Sequence, residues 1–158
     1  MSLPLFCETV RPEWIDYNGH MSEAFYVLVF GYATDALMER TGMDAAYRKS
    51  TGCSLYTVES HIRYLRDVPE GARLAVLTRV LGAAGKRARF THEMYVVTGP
   101  RAEPGADGDP VATTELLALH VDQEAGRATP FPDSVRECLA ALTEPPPWWA
   151  GRSVAPVA

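Results

Sequence analysis

The stretch DYNGHMSEAFYVLVFGYATDALMERTG, residues 16–42, decides the fold. Asn18-Gly19 is a strong turn dipeptide, and Ser22 follows it as a residue that can cap a helix. The apolar run 24–31 would lie inside that helix, which continues to about Thr41 and ends at Gly42. Twenty residues make a helix roughly 30 Å long. Because its first half is apolar all round, we predict that it is buried on every side.

The rest of the chain predicts mainly β-strands. Residues 5–15 are expected to be extended, and strands are expected at 54–66, 73–81, 87–97 and 111–121, with short helices at 44–50 and 133–142. In the first of these four strands, alternation puts one set of side chains on one face: Tyr56, Val58, Ile62 and Tyr64. The other face would carry Thr57, Glu59, His61 and Arg63. Short connections between the strands favour antiparallel pairing.

These elements predict one domain, residues 1–144, followed by a loose Pro-rich tail, residues 145–158. A chain of 158 residues can bury about two thirds of its unfolded surface. A curved antiparallel sheet wrapped around the long helix is the economical way to cover it, which is an α+β architecture. One chain cannot cover every side, so we expect a second subunit against the helix or a sheet edge, in a homodimer or homotetramer.

Composition narrows the function classes. The net charge is −5, from 15 Lys+Arg and 20 Asp+Glu, and no basic run is present. Nucleic acid is therefore not an expected partner. No apolar run is long enough for a membrane span, and the N-terminus lacks the basic region of a signal peptide, so we predict a cytoplasmic protein. The chain has three cysteines, Cys7, Cys53 and Cys138. Their number and spacing fit neither a metal-binding motif nor a disulfide framework, and no metal is expected.

The segment 16–26, the strand segment Ile62–Arg66 and the turn Gly71–Leu74 together resemble a known family. The family is the hotdog-fold acyl-CoA thioesterases of the 4-hydroxybenzoyl-CoA thioesterase type, and the similarity extends over about residues 8–135. Segments 12–21, 51–54 and 115–122 are most similar to the betainyl-CoA thioesterase branch. The resemblance implies a hotdog fold and hydrolysis of a short polar or cationic acyl-CoA, with betainyl-CoA the preferred guess. CoA would enter as part of the substrate, and no separate cofactor is expected.

Thioester hydrolysis needs a carboxylate or base, a donor for the developing oxyanion and an acyl pocket. Asp16 is the candidate carboxylate, acting as nucleophile or as general base. The resemblance implies that the N–H of Glu23 or a neighbour binds the oxyanion, and Asn18 would hold water or orient Asp16. Ser22 departs from the family, which often has Asn there. The alternative is structural: Asp16 closes an Asx-turn and Glu23 begins an ordinary helix.

Substrate-binding candidates lie close to the same motif. Aromatic rings there could hold a trimethylammonium group by cation–π attraction, or could simply pack the core: Trp14, Tyr17, Tyr26 and Phe30. His20 could contact the substrate or shape the turn. Glu59 is a rival carboxylate, or an ordinary surface residue.

Two other functions fit the same fold. The first is a non-catalytic module that binds acyl-CoA or another metabolite. The second is an enoyl-CoA hydratase, which would pair His20 with Asp16 as base and acid. One scaffold hosts many activities, so the fold alone does not choose among these hypotheses.

Overall fold

The computed structural model describes residues 3–157. Six strands lie within this range: β1 (Phe6–Thr9), β2 (Cys53–Tyr64), β3 (Arg73–Ala84), β4 (Arg87–Val96), β5 (Ala112–Asp122) and β6 (Arg127–Ala128). The helices are α1 (Glu23–Arg40), α2 (Ala45–Thr51) and α3 (Asp133–Leu142). The strand order is β1-β3-β4-β5-β2, β6 pairs with β5, and every pair is antiparallel. The predicted α+β architecture is confirmed.

The core lies between one stripe of α1 and the inner face of the sheet. The buried side chains of α1 are Tyr26, Val29, Phe30, Ala33, Leu37 and Met38. The first half of α1 packs with Val76, Met94 and Ala112, and its second half packs with residues such as Phe90 and Leu139. Phe90, His92 and Met94 all belong to the inner face of β4, which is the alternation that the sequence predicts for this strand.

The other side of α1 is open in the single chain. Val27 is 48% exposed and Leu28 is 37% exposed. The prediction that α1 is buried on every side is therefore wrong for one protomer. A sheet of this size curves around only one side of a helix, so the opposite apolar side needs a different cover.

A β-bulge in β2 changes which residues share a face. Thr57 pairs with Ala118 and Glu59 pairs with Leu117, so Val58 is an extra residue. The bulge puts Tyr56 on the outer face, whereas Ile62 and Tyr64 lie on the inner face. The predicted grouping of Tyr56 with Ile62 is wrong because strict alternation does not survive an inserted residue.

The tail is partly anchored across the outer face of the sheet. Trp149 is 8% exposed, and its Nε1–H donates to Glu93 Oε1 at 3.2 Å. The backbone N–H of Gly151 donates to Glu115 Oε2 at 2.7 Å. The expected looseness of the tail is therefore wrong around Trp149, although Trp148 is 83% exposed.

Candidate active site

Residues 15–21 form a tight turn that leads into α1. The N–H of Asp16 donates to His20 O at 3.0 Å, and the N–H of Gly19 donates to Asp16 O at 3.0 Å. Gly19 has a φ of +80°, a conformation that favours glycine. The N–H of Met21 donates to Val68 O at 2.8 Å, which ties the turn to the β2–β3 loop. Hydrogen bonds within the turn and to the β2–β3 loop therefore fix its conformation.

The Asp16 carboxylate is half-buried in this turn. Its Oδ1 accepts the backbone N–H of Asn18 at 2.8 Å, which is the Asx-turn contact. Within residues 3–157, Oδ2 makes no hydrogen bond and no ion pair. One oxygen therefore fixes the side chain, and the other can act on a substrate or on water.

The start of α1 supplies unused N–H donors. Ser22 occupies the N-cap position, but its side chain makes no capping hydrogen bond. The N–H of Phe25 donates to Ser22 O, while the N–H groups of Glu23 and Ala24 find no acceptor in the part of the chain that the structure describes. These donors also carry the positive end of the helix dipole. A developing oxyanion placed here would be stabilised.

The end of β2 packs beside the start of α1. The Tyr26 hydroxyl donates to Arg66 O at 3.0 Å, and the Tyr64 ring meets the Tyr26 ring edge-on at 5.2 Å. Burial, with further contributions from Asp67 and Tyr64, raises the pKa of Tyr26 to about 12. Burial and the Glu23 carboxylate also raise the pKa of Tyr64. Both phenols therefore stay neutral at physiological pH.

Tyr64 and Asp67 are neighbours of the turn that sequence reasoning missed as site residues. They stand more than 40 positions after Asp16 in the chain. Contacts between distant parts of the chain bring them here, such as those of Met21 with Val68 and of Tyr26 with Arg66, and such contacts leave no local pattern in the sequence.

The polar candidates of the turn are largely open to solvent. Tyr17 is 97% exposed, and the side chains of Asn18 and Glu23 are also exposed. His20 is half-buried, with its Nδ1 3.8 Å from Asp67 Oδ2. Among residues 3–157 the partner of His20 is thus Asp67, so the Asp16–His20 pair expected of a hydratase is not formed.

Three of the four candidate aromatic rings lie in the core: Trp14, Tyr26 and Phe30. Trp14 is 3% exposed and stacks on Phe25, with ring centroids 5.5 Å apart. The Arg11 guanidinium lies 5.3 Å from the Trp14 ring centroid. Phe30 is buried and stacks on His92 at 5.9 Å. These packed rings fix the position of α1 relative to the turn and the sheet.

His92 is buried next to Phe30, and hydrogen bonds fix the orientation of its ring. Its Nε2 lies 2.9 Å from Thr34 Oγ1, and its Nδ1 lies 2.8 Å from Thr78 Oγ1. Complete burial lowers the pKa of His92 to about 3. The ring is neutral and joins α1 to β3 and β4.

A cavity of about 290 Å³ opens between the exposed side of α1 and strands β2 and β5. The volume is at the lower end of the range for small-molecule sites. Phe30 and Asp35 line it from the helix, and Thr57, Ile62 and Thr114 line it from the sheet.

Glu59 lies away from the turn, on the outer face of β2. It lines a separate cavity of about 170 Å³ with His61, Arg89 and Glu115. Arg89 and Glu115 form an ion pair at 3.0 Å. The structure does not bring Glu59 together with Asp16.

Residues 3–157 hold neither a metal cluster nor a membrane-spanning helix. No three His, Cys, Asp or Glu side chains converge there as a metal site would require. No helix in that range combines the length and apolar character that crossing a membrane requires.

The chain belongs to the thioesterase-like superfamily, whose family model matches residues 10–139. A betainyl-CoA thioesterase of Pseudomonas aeruginosa is 44% identical over 135 residues, which cover 85% of this chain and 80% of the relative. An L-carnitine dehydrogenase/betainyl-CoA thioesterase of Agrobacterium fabrum is 46% identical over 133 residues, which cover 84% of this chain but only 25% of that longer protein.

Among solved structures, a putative thioesterase from Pseudomonas putida KT2440 is 35% identical and superposes with a TM-score of 0.80. The match covers 100% of this chain and 99% of that one. These findings confirm the expected class, a hotdog-fold acyl-CoA thioesterase.

Proposed function

We propose that this protein hydrolyses betainyl-CoA to betaine and CoA, with Asp16 as the reacting carboxylate. The observation that carries the proposal is the turn before α1, where Asp16 Oδ2 has no partner within residues 3–157 and two N–H groups at the helix start are unused. The names of the relatives from Pseudomonas aeruginosa and Agrobacterium fabrum, both of which include betainyl-CoA thioesterase, support the choice of acyl group.

Two chemical routes use the same geometry. As nucleophile, Asp16 attacks the thioester carbonyl carbon, the CoA thiolate leaves, and water then hydrolyses the mixed anhydride. As general base, Asp16 takes a proton from water while the oxygen of that water attacks the same carbon; the carbon–sulfur bond then breaks, and the departing CoA thiolate takes up the proton. In both routes the N–H groups of Glu23 and Ala24 stabilise the carbonyl oxygen as it gains charge. Asn18 supports the carboxylate through its backbone N–H.

The chemistry needs no cofactor, because the thioester is activated by its own thiolate leaving group. We place the reaction in the cytoplasm, and neither nucleic acid nor a membrane takes part in it. Tyr17 and His20 belong to the turn itself and are placed to contact the substrate.

We also propose that the active form is a homodimer, alone or paired into a tetramer. Strand β2 is a 12-residue edge strand with no neighbour on one side among residues 3–157. Apolar side chains are exposed along it and on the adjacent side of α1, including Tyr56, Val58, Val27 and Leu28. An unpaired edge flanked by apolar surface is suited to pairing with a second copy around a two-fold axis.

A panel of acyl-CoAs tests the function. Release of free thiol is followed with betainyl-CoA, acetyl-CoA and crotonyl-CoA, and loss of the enoyl absorbance of crotonyl-CoA is followed separately. We expect thiol release that is fastest with betainyl-CoA. Binding without thiol release would indicate a non-catalytic module. Loss of the enoyl absorbance without thiol release would indicate a hydratase.

A further inference from the structure

A cavity of about 330 Å³ lies between the end of β2 and the C-terminal tail. His61 and Arg63 line it from β2, and Arg152 and Ser153 line it from the tail. Among residues 3–157, no aspartate or glutamate belongs to its lining. In a chain with a net charge of −5, a cavity that collects basic side chains without an acid indicates a site for an anion.

The two arginines of this cavity are not used by the protein's own carboxylates. Neither Arg63 nor Arg152 forms an ion pair within residues 3–157, whereas Arg66 and Arg89 each have an acidic partner. The Arg152 guanidinium lies 5.1 Å from the ring centroid of Trp148. A guanidinium group matches the geometry of phosphate oxygens and can bind them through two parallel hydrogen bonds. The cavity therefore favours a phosphate.

The tail is anchored immediately before Arg152. The indole N–H of Trp149 donates to Glu93, and the backbone N–H of Gly151 donates to Glu115 at 2.7 Å. These two contacts bring the following residues of the tail across the sheet towards β2. The position of Arc152 beside β2 thus depends on the anchored tail.

The neighbouring cavity of about 170 Å³ is less suited to an anion. It adjoins the larger one, because His61 and Arg152 line both. Its lining also includes Glu59 and Glu115, and Glu115 already forms an ion pair with Arg89 at 3.0 Å. Of the two cavities, the one that includes Arg63 is therefore the better site for a phosphate.

Tyr64 connects this cavity with the candidate active site. It lines the cavity, and its ring contacts the ring of Tyr26 in the first turn of α1. Because Tyr64 is the last residue of β2, a ligand held at the start of α1 can extend around the end of the strand into the cavity. An acyl-CoA has this shape, since its pantetheine arm separates the thioester from the phosphates. Leu65 and Val154 also line the cavity and give the adenine base an apolar surface.

We propose that Arg63 and Arg152 bind the phosphates at the nucleotide end of the acyl-CoA substrate. The inference rests on the proposed hydrolysis. It adds a subsite that family membership does not supply, because the family match ends at residue 139 and Arg152 lies beyond it. The proposed pairing of two β2 strands is compatible with this subsite, since strands pair through backbone groups and their side chains point to the faces of the sheet.

Two thioesters with the same acyl group test the subsite. Betainyl-CoA carries the nucleotide, whereas betainyl-pantetheine lacks it. We expect Arg63→Ala and Arg152→Ala each to lower kcat/KM by about tenfold for betainyl-CoA, mainly through KM, and by less than about twofold for betainyl-pantetheine. Arg127→Ala is the matched control, because Arg127 is an exposed arginine on β6 that does not line the cavity.

The outcomes distinguish the subsite from the proposed function. A wild-type protein that hydrolyses neither thioester would contradict the proposed function. A protein that hydrolyses both, with Arg63→Ala and Arg152→Ala no different from Arg127→Ala, would overturn only the subsite. An equal loss with both thioesters would also overturn it, because the effect would then not depend on the nucleotide.

A charge series at residue 152 tests the contribution of the tail. We expect Arg152→Lys to keep a KM for betainyl-CoA close to the wild-type value, and Arg152→Glu to raise it more than Arg152→Ala does. Because Arg152 is exposed, these substitutions are expected to leave folding intact, which thermal unfolding checks. A KM that does not follow the charge would overturn the role of Arg152.

Adenosine 3′,5′-bisphosphate distinguishes a substrate subsite from a site for a free nucleotide. We expect it to compete with betainyl-CoA in the wild-type protein and to inhibit Arg63→Ala and Arg152→Ala much less. Non-competitive inhibition would assign the cavity to a free nucleotide and would overturn its role in binding the substrate.

Discussion

The carboxylates of Glu93, on the outer face of the sheet, and Asp16, in the turn before α1, differ in how many hydrogen-bond partners they have. Glu93 lies on the outer face, 6% exposed, and both of its oxygens are occupied. Trp149 Nε1–H donates to Oε1 at 3.2 Å, and the Tyr95 hydroxyl donates to Oε2 at 2.8 Å. Asp16 has only the N–H of Asn18 on Oδ1. Glu93, with both oxygens hydrogen-bonded, stabilises the fold. Asp16, with one oxygen unused, is free to react with a substrate or with water.

The surroundings of the two groups reinforce this difference. Glu93 has the Arg79 guanidinium 3.7 Å away and contributes to raising the pKa of Tyr95 beyond the effect of burial. Asp16 has no cation within ion-pair distance among residues 3–157, but it stands at the positive end of α1. One carboxylate is neutralised by fixed partners, and the other keeps one oxygen without a partner among residues 3–157.

The largest expected effect separates the two groups by activity. Asp16→Asn should lower kcat for betainyl-CoA on the order of a thousandfold, because an amide is neither a nucleophile nor a base here. Stability should be unchanged, since the amide oxygen can still accept the Asn18 N–H. Thiol release and thermal unfolding measure the two quantities. Activity within tenfold of the wild type would remove Asp16 from the mechanism.

The second largest effect distinguishes Glu93 from Asp16 by the stability of the protein. Glu93→Gln should lower the free energy of unfolding by about 2–3 kcal/mol, because the amide removes the charge facing Arg79 and brings N–H donors towards two existing donors. The kcat should stay close to the wild-type value. Denaturant unfolding is the measurement, with Glu137→Gln as control because Glu137 is an exposed acid on α3. Equal stability of the two variants would contradict the structural role.

A third effect uses pH to probe the buried core behind the site. The pKa of His92 is lowered from 6.5 to about 3 in the folded protein. Between these two pH values the unfolded chain binds more protons than the folded protein. The contribution of neutral His92 to the free energy of unfolding is therefore fully present above pH 6.5 and is lost as the pH decreases towards 3. His92 contributes a slope of about 1.4 kcal/mol per pH unit in this window.

The measurement is the free energy of unfolding at several pH values in the wild-type protein and in His92→Gln. Glutamine can still bond to Thr34 and Thr78 but does not titrate. The variant should therefore show a shallower decrease in stability. Parallel slopes would show that His92 is not held neutral.

The smallest expected effect concerns the turn that carries Asp16. Gly19→Ala should cost about 1 kcal/mol of stability from its positive φ alone, because an added Cβ would meet nothing within 4 Å. Gly105→Ala is the matched control, with a φ of +87° and equally open space. We expect similar losses of stability, but a loss of kcat only for Gly19→Ala. Equal kcat values would show that the turn tolerates a shifted Asp16.

Local sequence patterns predicted the parts of the fold that depend on local order. The turn at Asn18-Gly19, the helix that follows it and the inward face of β4 all come from short-range spacing. The extra residue Val58 was missed because a bulge is decided by pairing with β5. Trp149 was missed as an anchor because its partner Glu93 is 56 positions away.

The candidate site likewise contains residues that local sequence predicts and residues that only the fold brings in. Asp16 and the start of α1 could be predicted because the turn and the helix are adjacent in the sequence. Tyr64 and Asp67 reach the turn only through the folded β2–β3 loop, and Glu59 is on the outer face because of the strand register. Trp14 and Tyr26 were proposed as ligand contacts from their position, while the structure shows both buried in the core.

A crystal structure of Asp16→Asn with intact betainyl-CoA tests the central claim most directly. We expect the thioester carbonyl oxygen within hydrogen-bond distance of the N–H groups of Glu23 and Ala24, with the carbonyl carbon facing residue 16. A thioester bound on the outer face of the sheet, away from the start of α1, would contradict it.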